Sequence, residues 1–155
     1  MLNLRRAQKE DLLLLFDWAN DPETRKAAFN SEQIPIEKHT SWFLGKLAHV
    51  DSDIYILEYN NISIGQVRFD KREEDGAFLI DYSIDLKYRG RGFGSEIIAL
   101  GLRAQTEKFG KAPTFVAFVK KQNVASQKCF LKVGFRQESS ESEFVTYKYS
   151  ERYEK

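Results

Sequence analysis

The sequence predicts an α+β protein, with a mixed, mostly antiparallel central sheet of about seven strands and helices on both faces. Three observations predict it. Short alternating or apolar segments bounded by turn residues recur along the chain, and helical periodicity fills the stretches between several of them. Asn60-Asn61 is a tight hairpin signal, so two of the strands run antiparallel. Phe115 to Val119 is a continuous apolar run, as expected of a strand buried on both faces. The 155 residues suit one domain, residues 1–155, with a real core.

The chain opens with a short strand over Leu2 to Arg6. Lys9 to Asn20 predicts a helix, with Leu12, Leu13, Leu15, Phe16 and Ala19 at helical spacing. The run Leu12 to Leu15 is apolar nearly all round, which suggests deep burial. Asn20-Asp21-Pro22 is read as the stop of that helix. Arg25 to Glu32 is a loop or a second short helix. Pro35 begins the next helix, with Glu37 in its first turn and Ile36, Trp42, Phe43 and Leu47 as its apolar residues.

Asp53 to Glu58 alternates as a strand, and Ile62 to Phe69 is its return after the hairpin. Gly65 inside that return marks a bulge or a close backbone approach. Lys71 to Gly76 is a charged turn, and Ala77 to Asp85 is the third strand of the meander. A helix over Ser95 to Phe109 stops at Gly110. After the apolar strand, Asn123 caps a helix that Gly134 ends. Phe135 to Gln137 and Glu143 to Tyr149 close the chain as an antiparallel pair.

Composition excludes several classes. A formal net charge of +1 gives no global field for nucleic acid or membrane. The one cysteine, Cys129, forbids an internal disulfide or a multi-cysteine metal site, and His39 and His49 make a poor metal pair. No metal is therefore expected. There is no apolar run of about 18 residues and no signal-peptide pattern, so a cytoplasmic chain is the default expectation.

Between the third meander strand and its following helix lies Arg89-Gly90-Arg91-Gly92-Phe93-Gly94-Ser95. Glycines let backbone approach an anion, and a helix start adds unpaired N–H groups at the positive end of a macrodipole. The stretch therefore reads as a phosphate loop or as an ordinary glycine-rich turn. No Lys-Ser or Lys-Thr pair follows, which excludes a P-loop, and the alternating glycines do not match G-x-G-x-x-G.

The spacing Arg89, Gly92, Gly94 matches Q/R-x-x-G-x-G/A and resembles the acetyl-CoA diphosphate loop of the GNAT superfamily of N-acetyltransferases. Asn123 to Phe135, NVASQKCFLKVGF, resembles that superfamily's helix pattern through Asn123, Ser126, Phe130, Lys132, Gly134 and Phe135. The element order is similar to the GNAT fold across nearly the whole chain. The resemblance implies acetyl-CoA as acyl donor, bound by Arg89, Gly90, Arg91, Gly92, Phe93, Gly94 and Ser95. It implies that Ser83, Ile84 and Asp85 offer backbone groups to the pantetheine arm. Asn123 either bonds that arm or only caps its helix.

Two residues depart from the family pattern. Phe130 stands where many relatives carry a proton-donating tyrosine, and it is expected to pack against the sulfur end of the donor. Leu79 stands where many carry a glutamate base. Cys129 is expected in the core. Asp81, on the face shared with Leu79, Ser83 and Asp85, is either a base buried in a central strand or a structural partner of Arg68. Asp81 and Ser83 are the candidate catalytic residues. Tyr82, on the opposite face, is core or substrate-holding.

For the acceptor, W-x-N-D-P-x-x-R at Trp18 to Arg25 and F-N-S-x-x-I from Phe29 are similar to the nucleotide-linked amino-sugar acetyltransferases of pseudaminic and other nonulosonic acid biosynthesis. That resemblance implies a UDP-4-amino sugar. Arg25 would meet a diphosphate, Phe29 or Trp42 a ring, and His39 a hydroxyl, with Asn30 beside them. Trp18 and Trp42 as plain core residues are an equal alternative. The rival functions are N-terminal acetylation of a ribosomal or other protein, and non-catalytic sensing of acyl-CoA. A monomer or homodimer acting on a small-molecule amine is expected.

Overall fold

A computed structural model of the chain describes residues 1–110 and 113–150. Residues 111–112 and 151–155 of the expected domain lie outside the described residues. The seven strands are β1 (Leu2–Arg6), β2 (Ser52–Tyr59), β3 (Ile62–Lys71), β4 (Phe78–Ile84), β5 (Phe115–Lys120), β6 (Arg136–Ser140) and β7 (Phe144–Tyr149). The helices are α1 (Leu12–Ala19), α2 (Pro22–Ala27), α3 (Ile36–Ala48), α4 (Phe93–Phe109) and α5 (Val124–Val133). One sheet holds all the strands in the order β1-β2-β3-β4-β5-β7-β6. Every neighbouring pair is antiparallel except β4 and β5, which run parallel. The α+β architecture matches the expectation.

The sheet buries both faces because side chains alternate along each strand. Tyr55 and Leu57 of β2 join the large core with Val67, Phe69, Ile97, Ile98 and Phe130, beneath α4 and α5. Ile54 and Ile56 point the other way, toward Leu15 and Trp18 of α1 and Phe43 of α3. The hairpin forms as the Asn-Asn pair requires: Asn60 and Asn61 have φ of 50° and 69°. Gly65 combines both expected reasons. The β2 register shifts between Leu57 and Glu58 beside it, and a Cβ at Gly65 would sit 2.8 Å from the Ser83 carbonyl oxygen.

Three local readings are corrected. The first helix begins with a single tighter turn over Lys9–Asp11, and Leu13 is 64% exposed, so its leucine run is not buried all round. Only Leu15 and Trp18 of α1 are buried. Pro22 does not merely stop a helix; it opens α2, capped by the Asp21 side chain, which accepts from the Thr24 N–H. Asp85 leaves the strand and caps a short turn through the Lys87 N–H.

Candidate active site

The site forms where the sheet comes apart. β4 and β5 pair only at Phe78–Phe115 and Leu79–Val116. Beyond that seam lies a cavity of about 620 Å³. Its walls are β4 from Ile80 to Ile84, the glycine loop, the end of β5, the first turns of α5, and α2.

Backbone direction along β4 follows from its pairing. The Asp85 N–H bonds the Ile64 carbonyl of β3 at 2.7 Å, and the Phe78 N–H bonds the Thr114 carbonyl on the other side at 2.9 Å. Alternate residues of an antiparallel strand turn their N–H and C=O to the same neighbour. Hence Asp81, Ser83 and Asp85 face β3, while Tyr82 and Ile84 turn theirs into the gap. The Ser83 and Asp85 backbone expected to meet the arm thus faces β3, while the Tyr82 and Ile84 N–H groups lie on the gap side.

The glycine loop is backbone-built. Gly90 and Gly92 have φ of 75° and 86°, and a Cβ at either would meet nothing within 4 Å. Gly92 caps α4, so the first-turn N–H groups of Phe93 and Gly94 open beside the cavity they line. Gly94 serves packing as well: its Cβ would lie 2.9 Å from Cys129 Sγ. Of the loop residues, Arg91 and Ser95 do not line the cavity; the Arg91 guanidinium sits over Tyr88, Phe93 and Tyr59. Arg89 is already engaged. Its Nε donates to the Ile84 carbonyl and its Nη2 to Asp21 Oδ2, both at 2.8 Å. Arg89 also lines the cavity, and its buried Nη1 has no hydrogen-bond partner, so the guanidinium is part scaffold and part open to a ligand.

On the opposite wall, Asn123 lines the cavity and its Oδ1 accepts from the Ser126 N–H at 3.2 Å, leaving its NH₂ group to other partners. Phe130 is 2% exposed and borders the cavity, edge-on to Tyr82 and Phe135. The Tyr82 hydroxyl donates to Ser126 Oγ at 3.1 Å, and burial pushes its pKa well up, which keeps the phenol protonated. Cys129 is half-buried on the cavity wall, not in the core as expected.

The candidate catalytic pair, Asp81 and Ser83, lines the cavity. Ser83 Oγ accepts from Gln66 Nε2 at 3.2 Å. Asp81 is not the buried carboxylate expected. Its side chain is 59% exposed and its Oδ2 lies 3.7 Å from Arg68 Nη1.

The substrate candidates divide. Arg25 and Tyr82 line the cavity; Phe29, Asn30, His39 and Trp42 do not. Arg25 spends three hydrogen bonds on backbone carbonyls. Its Nε donates to the Ala19 carbonyl at 2.6 Å, and its Nη1 to the carbonyls of Asn30 and Glu32 at 2.9 and 3.3 Å. His39 is 2% exposed, stacked on Phe43, with Nε2 bonded to the Leu12 carbonyl at 3.0 Å. Burial lowers its pKa. Trp42 carries the Arg68 guanidinium 5.0 Å from its ring centre, and Phe29 sits edge-on to Phe144. Sequence reasoning placed Trp18 to Arg25 near the acceptor but missed Lys26 to Ala28 as cavity wall; the capping signal Asp21-Pro22-x-Thr24 was there to find the helix that carries them.

An acyl-CoA fits these residues. Unpaired strand N–H groups at Tyr82 and Ile84 suit an amide-bearing arm, and the open glycines and the α4 N-terminus suit a diphosphate. Among the described residues no group of three His, Cys, Asp or Glu side chains is placed to hold a metal. No helix among them is long and apolar enough to cross a membrane.

Known structures share this architecture. Spermidine N-acetyltransferase from Vibrio cholerae, in complex with CoA and spermine, superposes with a TM-score of 0.86 at 14% identity, covering 96% of this chain and 94% of that one. The aminoglycoside acetyltransferase AAC(6′)-Ib, with ribostamycin and coenzyme A, gives 0.84 at 19% identity over 98% and 94%. RimL, a ribosomal L7/L12 alpha-N-protein acetyltransferase in complex with coenzyme A, gives 0.79 at 18% over 96% and 93%. At such identities these likenesses carry the fold. No curated protein sequence matches the chain. The profile of the acetyltransferase (GNAT) domain matches residues 1–136. With a divided sheet and an open glycine loop to receive the donor, the chain belongs to the GNAT acetyltransferase domain family and is an acetyl-CoA-dependent N-acetyltransferase.

Proposed function

We propose that the acceptor is the primary amine of a nucleotide-linked amino sugar, a UDP-4-amino-4,6-dideoxy sugar, acetylated directly without an acyl-enzyme. One observation carries this reading. The stretch whose pattern resembles amino-sugar acetyltransferases, Trp18 to Arg25, leads directly into the α2 wall of the cavity, Glu23 to Ala28. The resemblance thus falls on residues that shape the space opposite the donor.

In this reading the Gly90 to Gly94 backbone and the α4 N-terminus grip the diphosphate. Tyr82 and Ile84 hold the arm strand-fashion, and the Tyr82 N–H meets the thioester oxygen, where negative charge grows during attack. Asn123 bonds the arm through its NH₂ group. The new C–N bond forms as the C–S bond breaks. The amine's proton leaves to water or to Asp81, which is exposed beside Arg68. Phe130 gives no proton, so CoA departs as a thiolate and takes one from water; a thiol pKa near ~8.5 makes that leaving group tolerable. A sugar amine flanked by hydroxyls is less basic than lysine at ~10.4, so a weak base suffices.

Thiol release measured with UDP-amino sugars, aminoglycosides, polyamines and N-terminal peptides tests the proposal. Turnover of UDP-4-amino sugars well above the other classes is expected. Efficient turnover of a peptide with none of any sugar nucleotide makes the chain an N-terminal acetyltransferase instead. Binding of acetyl-CoA without thiol release from any amine would make it a sensor.

A further inference from the structure

The α1–α2 corner and the glycine loop are joined by side chains far apart in sequence. Arg89, in the loop, reaches Asp21 at 2.8 Å. The same Asp21 oxygen accepts from the Thr24 N–H and Oγ1, at 3.1 and 3.3 Å, and so caps α2. A second link runs beside it: Trp18 Nε1 donates to Asp85 Oδ2 at 2.9 Å, while Asp85 Oδ1 holds the Lys87 N–H. On the far side of α2, Arg25 ties Ala19 to Asn30 and Glu32. Asn20 accepts from the Ile34 N–H at 2.8 Å and donates to the Ile34 carbonyl at 2.9 Å. One bonded chain therefore runs from the donor loop through Asp21 and α2 to residues 30–34.

We propose that Asp21 is a positioning residue that couples the two substrates: closing the glycine loop around the donor's diphosphate fixes the acceptor wall through the Arg89–Asp21 pair. Ordering one residue's backbone costs about 1–2 kcal/mol. Whichever ligand fixes the corner removes that cost for the other, and the effect is reciprocal. Bound acetyl-CoA therefore tightens acceptor binding, and bound acceptor tightens acetyl-CoA binding by the same factor. The proposal rests on the donor's diphosphate lying at the glycine loop and on nothing about the acceptor's identity.

Amide hydrogen exchange with CoA as the probe tests it. In the wild-type chain, saturating CoA slows exchange at residues 90–96 and also at 24–34, the latter by at least about fivefold, the low end of ordinary coupling. Asp21→Asn keeps an oxygen for the α2 cap and removes the charge facing Arg89. Arg89→Gln removes the other partner and covers the case in which the asparagine still bonds Arg89. In both variants protection at 90–96 persists while the CoA-dependent part at 24–34 falls to less than half. A merely stabilising pair would speed exchange with and without CoA alike, leaving that difference intact. Equal CoA-dependent protection of 24–34 in wild type and both variants overturns the proposal, as does wild-type protection confined to 90–96. Absence of protection at 90–96 in the wild type would instead overturn the placement of the diphosphate.

Discussion

The two walls of the cavity are built from different materials. The proposed donor wall, Tyr82 to Gly94, presents backbone: strand N–H groups, two positive-φ glycines and a helix start. The proposed acceptor wall, Glu23 to Ala28, and the segments around it are held by side chains that spend their hydrogen bonds on nearby backbone. A backbone site needs particular residues only where others would block it. A side-chain scaffold uses the same arginine, histidine and tryptophan that a binding site would, so residue type alone does not tell the two apart.

The sharpest way to break this contrast is at Gly92. Valine there is strained at a φ of 86° and fills the approach to the loop. Gly92→Val is expected to weaken acetyl-CoA binding by at least about a hundredfold, roughly 2.7 kcal/mol. Calorimetry on a variant with native circular dichroism checks it, and unchanged affinity would refute a backbone-built donor wall.

Next is Arg25. If it is a scaffold, Arg25→Lys is nearly as harmful as Arg25→Ala, because lysine cannot reproduce a fork to three carbonyls. Both should lower acceptor kcat/KM by about 10- to 100-fold, consistent with losing charged hydrogen bonds of roughly 1.5–3 kcal/mol. Acetyl-CoA affinity measured in the absence of acceptor should change little. Full activity in the lysine variant would mean the charge itself meets substrate.

Two chemical variants sharpen the donor side. Asp81→Asn should lower kcat by no more than about tenfold, because a solvent-exposed carboxylate beside Arg68 makes a weak general base. A loss of a thousandfold would give Asp81 a larger role than its exposure suggests. Phe130→Tyr should alter kcat by less than about tenfold, ~1.4 kcal/mol of barrier. A much larger gain would show that proton delivery to sulfur limits the wild-type rate.

The smallest effect belongs to the acceptor scaffold and to pH. His39 is held neutral by burial, so its folded pKa lies below the unfolded value near ~6.5. Below that pH the unfolded chain takes up a proton that the folded chain refuses, and stability falls as pH drops. Melting temperature should therefore be lower at pH 5 than at pH 7.5, and His39→Gln should narrow the gap. An unchanged gap would show that His39 is not the titrating group.

The sequence made the donor half readable because glycines, caps and strand alternation report backbone geometry directly. Gly90, Gly92, Asn123 and the Asn60-Asn61 hairpin all lie where their chemistry predicts. Other features depended on neighbours that a single strand does not reveal. Alternation placed Asp81 and Ser83 on one face, but which way their N–H groups turn was decided by pairing with β3. Asp81 was expected to be buried and is exposed, lining the cavity beside Arg68. Cys129 reached the cavity because Gly94 lets α4 come close to α5. Arg25, Arg89 and His39 have the right chemistry for ligands and are drawn into the scaffold by carbonyls and a carboxylate nearby.

The seam between β4 and β5 has a further consequence. Two residue pairs join the strands there, after which β4 carries an unpaired edge in the middle of its own sheet. An unpaired edge on the outside of a protein invites another chain to add to it. Here the edge is recessed between α2, α5 and the end of β5, so a folded neighbour's strand cannot reach it, while a thin arm bearing its own amides can. The protein thus keeps a vacancy for a strand and protects it by depth. In the proposed placement the donor completes the sheet, and each catalytic cycle reopens it.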